Sequence, residues 1–212
     1  MSRMKMGWLL GFLLFFAAST KADSVYVNGS YAFADHGFGI GPYGGTLNGQ
    51  SASFYCVDFV HQISGQTGWT AAVTGLPSTS GYGSTYQQSQ TTYLEMAWLI
   101  TQMISPSTWA SLTGQSNQTV QAELQWTIWS LSGLGGTTNP YPSWTTYFAN
   151  NAAANYGSVT GGWEILTPNP KGSYGQEFIV RTPEPGMLLL LCVGLAGLVA
   201  FSLKRRGFFL PV

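Results

Sequence analysis

The C-terminal part of the chain limits which residues can form a water-soluble fold. Residues 187–203 read MLLLLCVGLAGLVAFSL, an uncharged apolar run just long enough to cross a bilayer as a helix, and the basic cluster KRR follows directly. The preceding tripeptide consists of Pro183, Glu184 and Pro185, and two prolines around one residue cannot continue a helix. The sequence therefore predicts a transmembrane helix at 187–203, separated by this break from a folded domain before it.

The order of these parts resembles a known sorting signal. A PEP tripeptide, an apolar helix and a short arginine-rich tail are the parts of the PEP-CTERM signal of Gram-negative bacteria, and the resemblance runs from Thr182 to about Gly207. It implies an exosortase-type processing enzyme as a partner, transient anchoring in the membrane, removal of the tail, and delivery to the outer surface or extracellular matrix. The alternative, an ordinary C-terminal membrane anchor, also places the preceding residues outside the cytoplasm.

The N-terminal residues 1–22 have the layout of a secretory signal peptide. A basic start is followed by an apolar run at 7–18 and then by small and polar residues, which predicts cleavage after Ala22. An uncleaved anchor is the alternative, but the run is short for a membrane span. The predicted organisation is a signal peptide at 1–22, an ectodomain at 23–181 and a sorting segment at 182–212.

The ectodomain is acidic and has few charges. Seven carboxylates and two cations give it a net charge of −5, although the whole chain is neutral. A nucleic-acid-binding protein would carry a basic patch, so this class of partner is excluded. Uncharged polar and aromatic residues must form most of the surface, a composition that suits a carbohydrate-rich matrix. The charged residues are Asp23, Asp35, Asp58, Glu95, Glu123, Glu164, Glu177, Lys171 and Arg181.

Hydrophobic periodicity predicts an α+β fold, a β-rich sandwich or barrel-like domain with a central helical insertion. The turn dipeptide at 28–29 predicts a hairpin between strands at 24–27 and 30–33, and the glycine-rich residues 35–50 predict a loop. Further strands are expected at 52–59, 69–73, 162–166 and 176–180. Helices are expected at 91–104, 116–133 and 144–155. The helix at 116–133 has an apolar stripe and a capping Ser116 or Asn117; its stripe consists of Val120, Leu124, Ile128 and Leu131.

Cysteine usage raises a chemical question. The chain has two cysteines, and Cys192 lies inside the predicted transmembrane helix, so Cys56 has no disulfide partner in the ectodomain. A cysteine-dependent hydrolase would need a base, and only His36 and His61 are available. On a strand the odd spacing places His61 on the opposite face from Cys56, and His36 lies in a glycine-rich segment.

Metal and glycosidase sites are less well supported by the sequence. One cysteine and two histidines with scattered carboxylates do not form the spaced ligand cluster of a structural zinc site, so no metal and no cofactor are predicted. Asp58, Glu95 and Glu123 could converge as the paired carboxylates of a glycoside hydrolase, but nothing in their spacing favours this arrangement.

A thiol can also react with a glutamine. A cysteine can attack the carboxamide carbon, expel ammonia and leave an internal thioester, which resists water only when it is buried among apolar groups. Gln125 borders the apolar stripe of the second predicted helix, and Trp129 follows one turn later on the same side, where it could shield such a bond. A plain alternative is that Gln125 only hydrogen-bonds the backbone.

Two motifs resemble the thioester domains of bacterial surface adhesins. The first, at 55–59, reads YCVDF, and the second, at 124–129, reads LQWTIW; a helical segment containing AWL lies between them. In that family an aromatic-Cys-Val/Ile-Asp motif supplies the cysteine and a Gln-x-Ala-Ile-Trp motif supplies the glutamine. The resemblance, from about Tyr31 to Leu131, implies that Cys56 donates sulfur and Gln125 donates the acyl group. The usual alanine is Thr127 here, which puts a hydroxyl near the proposed bond.

Neighbouring residues complete the predicted site. We expect Tyr55 and Trp129 to shield the bond, Asp58 to accept hydrogen bonds at its edge, and His61 to be a candidate for proton transfer. The predicted function is covalent adhesion or crosslinking to an amine- or hydroxyl-bearing surface or matrix molecule, by a single-turnover electrophile and not an enzyme. The alternatives are a non-covalent structural or carbohydrate-binding matrix protein with an inert thiol, and the cysteine-dependent hydrolase.

Overall fold

The computed structural model describes residues 23–78, 80–181 and 193–195. The predicted signal peptide at 1–22, the tripeptide Pro183-Glu184-Pro185 and the predicted transmembrane helix at 187–203, apart from 193–195, lie outside these residues. Within the described part of the chain, no helix combines the length and the apolarity that a membrane span requires. The domain is α+β, as predicted, and of the two expected β architectures the barrel is the one observed.

Eight strands form the β structure. Six of them close a barrel in the order β1-β4-β5-β8-β7-β6, with antiparallel neighbours throughout, and β2 and β3 form a separate hairpin. Closure leaves no free sheet edge in the barrel. The strands are β1 Asp23–Val27, β2 Phe33–Asp35, β3 Phe38–Ile40, β4 Tyr43–Leu47, β5 Gln50–Cys56, β6 Thr67–Leu76, β7 Trp163–Pro168 and β8 Phe178–Arg181.

The helices lie between β6 and β7 in the chain, so the predicted central helical insertion is confirmed. Ser89 and Ser116 cap the two long helices by accepting the backbone N–H groups of Thr92 and Thr119. The short second helix was not predicted from the sequence. The helices are α1 Gln90–Ile104, α2 Ser107–Thr113, α3 Asn117–Ser132 and α4 Pro142–Asn155, and 3-10 turns occur at Tyr82–Ser84 and Tyr156–Ser158.

The predicted hairpin at 24–33 is wrong, and so is the predicted loop at 35–50. β1 pairs with β4 and β6, not with the residues that follow Asn28-Gly29. The two-residue hairpin loop is instead Asn48-Gly49, where both residues have positive φ and connect β4 to β5. β4 escaped detection because it contains Gly44 and Gly45, which lower the strand signal.

Helix α3 lies between two apolar clusters. Val120, Leu124 and Ile128 pack in the cluster that the helices share, whereas Trp126 and Trp129 pack in the cluster of the barrel interior. A helix with both sides covered has few solvent-exposed positions, and in α3 every residue from Val120 to Trp129 except Gln121 is buried. This placement brings α3 against the end of β5.

Candidate functional site

Cys56 is the last residue of β5 and pairs with Phe178 of β8. Its side chain is fully buried in the barrel cluster. The thiol S–H donates to the carbonyl oxygen of Asp58 at 3.3 Å, and Sγ accepts the indole N–H of Trp129 at 3.2 Å. Sulfur is therefore held in a fixed position by one donor and one acceptor.

Gln125 of α3 is also fully buried and contacts the same residue. Its side-chain Nε2 donates to the backbone carbonyl oxygen of Cys56 at 2.9 Å. Its Oε1 has no hydrogen-bond partner among the described residues, although it is buried. An unsatisfied buried carbonyl oxygen costs about 1–3 kcal/mol, so this amide is in an unfavourable environment as a carboxamide.

Burial changes the acidity of the thiol. Removal from water raises the pKa of Cys56 from 9.0 to about 12, and the hydrogen bond that Trp129 donates to the sulfur lowers it less than burial raises it. Burial penalises the charged thiolate, so the neutral thiol predominates at pH 7. The same apolar surroundings exclude water from any neutral bond that the sulfur forms.

Aromatic rings enclose the thiol on the side of α3. Trp129 packs edge-on against Trp126, with ring centroids 5.2 Å apart, and tilted against Phe59 at 5.1 Å. Phe38 from the β2–β3 hairpin contacts both Phe59, at 4.9 Å, and Trp126, at 5.6 Å. The sequence pattern predicts a shielding role for Trp129 but none for Phe38, because it predicts a loop where the β2–β3 hairpin forms.

Asp58 does not lie on the strand of Cys56, contrary to the expected strand at 52–59, because β5 ends at Cys56. Its Oδ1 accepts the backbone N–H groups of Val60 and His61, at 3.1 and 3.2 Å, so the carboxylate closes a turn. Its Oδ2 contacts Nδ1 of His61 at 2.8 Å. His61 is partly exposed and stacks on Tyr86 with centroids 4.4 Å apart. Asp58 thus connects His61 with the thiol, whose proton its backbone oxygen accepts.

Thr127 and Tyr55 are the remaining residues of the predicted site. The hydroxyl of Thr127 donates to the backbone oxygen of Glu123, one turn earlier, at 2.7 Å, so it is satisfied within the helix. Tyr55 packs in the helical cluster and not in the cluster of Cys56, as alternation along a strand requires. A Cβ placed on Gly41 would lie 3.6 Å from the Tyr55 ring and 3.5 Å from Gln125 Oε1, so Tyr55 lies on the glutamine side of the site.

A second glutamine, not predicted from the sequence, lies near the thiol. The side-chain Nε2 of Gln176 donates at 2.6 Å to the carbonyl oxygen of Asp58, the same oxygen that accepts the Cys56 thiol. The next residue, Glu177, is fully buried and accepts hydrogen bonds from Thr167, Tyr93 and the backbone of Tyr86. Both residues precede β8, far from Cys56 in sequence, and no local pattern connects them with it.

The residues of the rival sites lie elsewhere or are otherwise engaged. His36 bonds to Asp35 at 2.9 Å in the β2–β3 hairpin, and Glu123 accepts a hydrogen bond from Gln115 at 2.7 Å. Glu123 is buried, although helix carboxylates are usually solvated. Within the described residues, no group of three or more His, Cys, Asp or Glu side chains is arranged to hold a metal ion.

Comparison with known proteins identifies one segment of the chain. Residues 181–206 match the family model of the PEP-CTERM protein-sorting motif. The match supports an exported, surface-sorted protein that is transiently anchored in the membrane and processed by an exosortase-type enzyme. Neither the curated proteins nor the solved structures contain a match to the chain.

Proposed function

We propose that Cys56 and Gln125 form an internal thioester through which the exported domain attaches covalently to a surface or matrix nucleophile. The main support is one contact: Gln125 Nε2 donates to the backbone oxygen of Cys56 at 2.9 Å while Oε1 of the same amide is buried and unpartnered. The resemblance of the two sequence motifs to adhesin thioester domains points to the same pair. The single turnover of such a bond makes the protein an adhesin-like electrophile and not an enzyme.

The reaction balances without a cofactor. Sγ of Cys56 attacks Cδ of Gln125, the C–N bond breaks, the thiol proton passes to the departing nitrogen, and ammonia leaves. A partner amine or hydroxyl later attacks Cδ, the C–S bond breaks, and the partner's proton ends on Sγ. The products are an amide or ester at Gln125 and a free Cys56 thiol.

Burial slows formation of the thioester but favours the bond once it has formed. The raised thiol pKa makes the attacking thiolate scarce, so formation of the bond is slow, but a bond that forms once per molecule does not need a fast step. The thioester is neutral and is not penalised by burial. The Trp129 indole N–H, 3.2 Å from Sγ, keeps a donor at the sulfur, and the ring covers it.

Peptide mass tests the proposal directly. The sequence has no Lys or Arg between Lys21 and Lys171, so one tryptic fragment ending at Lys171 contains both residues however the chain ends are processed. We expect this fragment to lack the mass of one ammonia. Methylamine should add its own full mass to that fragment and release a thiol that alkylates in denaturant. A fragment of full sequence mass whose thiol alkylates in denaturant without amine would contradict the proposal.

Two glutamine variants identify the acyl donor. In Gln125→Ala the fragment should have its full sequence mass, without the ammonia deficit. Its Cys56 thiol should alkylate in denaturant without added amine. Gln176→Ala is the matched control, because Gln176 contacts the same Asp58 carbonyl oxygen as the thiol. It should keep the ammonia deficit. If the deficit is lost only in Gln176→Ala, the acyl donor is Gln176 and not Gln125.

A second function is favoured by a different observation. The Cys56 thiol already has a donor and an acceptor at 3.2 and 3.3 Å and needs no bond to be stable in the core. If the thiol remains free, the protein is a non-covalent structural or carbohydrate-binding matrix protein. Trp163, one of the aromatics that such a protein could use to stack on sugars, is buried, so it fills the core. The mass experiment separates the two functions.

A further inference from the structure

A pocket of about 210 Å³ opens beside the thiol site. Exposed residues, among them Tyr31 and Gln62, form its mouth, and the buried Phe59, Trp129 and Gln176 form its floor. It is smaller than the sites of about 300–1,000 Å³ that hold drug-sized ligands, so it has room for one ring or a short piece of a chain.

The floor of the pocket is in direct contact with the thiol region. The indole N–H of Trp129 donates to Cys56 Sγ at 3.2 Å, and Gln176 donates to the Asp58 oxygen that accepts the thiol proton. A ligand in the pocket would therefore contact the same Trp129 ring that donates its indole N–H to Cys56 Sγ.

The lining indicates the chemical class of the ligand. It contains five aromatic residues and the amides of Gln62 and Gln176, and none of its residues in the described part of the chain is charged or a histidine. An ammonium ion would find no carboxylate there, and the nearby Asp58 is engaged by His61 and two backbone N–H groups. Aromatic rings with apolar bodies, together with amides that both donate and accept, suit a neutral ring that carries many hydroxyl groups.

We propose that this pocket binds a sugar unit of a neutral polysaccharide. A further step rests on the proposed function: a hydroxyl of the bound sugar attacks Cδ of Gln125 in the thioester, the C–S bond breaks, and the hydroxyl proton passes to Sγ. The products are an ester between the sugar and Gln125 and a free Cys56 thiol. No oxidant or other reactant is needed.

Binding is tested separately from the chemistry with Cys56→Ala, which cannot form a thioester. The probes are neutral oligosaccharides of glucose, galactose and N-acetylglucosamine, titrated by calorimetry into the exported protein. We expect at least one series to bind and Tyr31→Ala, added to this variant, to weaken its affinity about three- to tenfold, as loss of one aromatic contact predicts. Tyr174→Ala is the control, because Tyr174 is exposed and lies outside the lining. Failure of every series to bind overturns the pocket assignment.

The covalent step is tested with the wild-type protein and the series that binds. The fragment ending at Lys171 should gain the full mass of the oligosaccharide, and alkaline hydroxylamine should remove it as it cleaves esters. Binding without an adduct, from a fragment that shows the ammonia deficit, overturns the hydroxyl acceptor. A lysine-containing peptide is tested in parallel. If the peptide forms an adduct and the oligosaccharide does not, the hydroxyl acceptor is overturned and the site is assigned to amines. A fragment without the deficit contradicts the thioester alone, and the calorimetry still decides the pocket.

Discussion

Cys56 and Glu177 are both fully buried, and neither forms a salt bridge among the described residues. Each therefore loses hydration without gaining an opposite charge, and burial raises the pKa of both groups. The folded state favours the neutral forms of both groups, and ionisation of either group favours unfolding. Only the thiol is reactive, so alkylation tests Cys56, whereas the pH dependence of unfolding tests Glu177.

The thiol of the Gln125→Ala variant should titrate far above its ordinary range. Burial raises the pKa of Cys56 from 9.0 to about 12, so the thiolate fraction in the native protein should rise tenfold with each pH unit between pH 7 and 10. In urea the rate of alkylation by iodoacetamide should level off near pH 9. A native rate that levels off below pH 9 would contradict the buried position of the thiol.

Glu177 should make the domain less stable as the pH rises. Its folded-state pKa is raised above the ordinary 4.5, mainly by burial, so between the two values the folded state holds a proton that the unfolded state has lost. The free energy of unfolding then falls with pH, by up to about 1.4 kcal/mol per unit in that window. Urea unfolding of the wild type and of Glu177→Gln, from pH 4.5 to 8, should show the variant gaining stability relative to the wild type. Parallel curves would exclude this contribution.

Among the secondary-structure elements, the β2–β3 hairpin covers the thiol site and is tied down by one carboxylate. Oδ2 of Asp35 accepts the indole N–H of Trp126 at 2.9 Å, and Oδ1 accepts the hydroxyl of Tyr141 at 3.1 Å. Phe38 of the same hairpin packs on Trp126 and Trp129. The hairpin, α3 and the segment before α4 are thus joined at a single residue.

Asp35→Ala should loosen this cover. The loss of both acceptors leaves two polar groups without a protein partner, and we expect a cost of about 1–3 kcal/mol in the free energy of unfolding. Hydrogen exchange should become faster at 33–40. His36→Asn is the matched control, since asparagine tolerates the positive φ of this position and the bonds of Asp35 to Trp126 and Tyr141 remain. Equal exchange rates in both variants would show that the carboxylate does not hold the hairpin.

Gly45 in β4 should not accept a side chain. A Cβ there would lie 2.0 Å from the backbone oxygen of Tyr26 in β1 and 3.0 Å from the ring of Phe54 in β5. Gly45→Ala should cost about 3 kcal/mol or more, because the contact involves the backbone of a neighbouring strand. Gly75→Ala in β6 is the control, since nothing lies within 4 Å of its Cβ position, and it should be neutral or slightly stabilising. Chemical denaturation of the two variants compares them.

These elements show which parts of the fold can be predicted from the sequence. Apolar periodicity is a local signal and predicts both α1 and α3, and the capping Ser116 also marks the start of α3. The dipeptide Asn-Gly occurs at 28–29 and at 48–49, and only the second closes a hairpin, because pairing across the barrel decides between them. The sequence motifs point to Cys56 and Gln125, which are in contact, whereas Gln176 reaches Asp58 from the start of β8, which the closed barrel brings beside β5.

At the scale of the whole molecule, the barrel separates the thiol site from the point where the sorting segment begins. Adjacent strands are antiparallel around the barrel, so β1 begins and β8 ends at the same end, where Asp23 and Arg181 line one pocket. β5 runs the other way and ends at Cys56, which pairs with the first residue of β8. Phe178, which lies opposite Cys56, and Arg181 are about 10 Å apart along β8. The thiol and the last described residue before the sorting segment therefore lie at opposite ends of β8.

This separation predicts that sorting and site chemistry are independent. Replacing Pro183, Glu184 and Pro185 by alanine should abolish processing by the exosortase-type enzyme, since the altered residues lie within the matched sorting motif at 181–206. Fractionation of cells should then find the full-length tail in the membrane fraction, whereas Tyr174→Ala, an exposed change before the motif, should be processed normally. The fragment ending at Lys171 should have the same mass in both variants, because it is complete before the motif begins. A change of that mass in the sorting variant alone would mean that processing at the C-terminal end controls the state of Cys56.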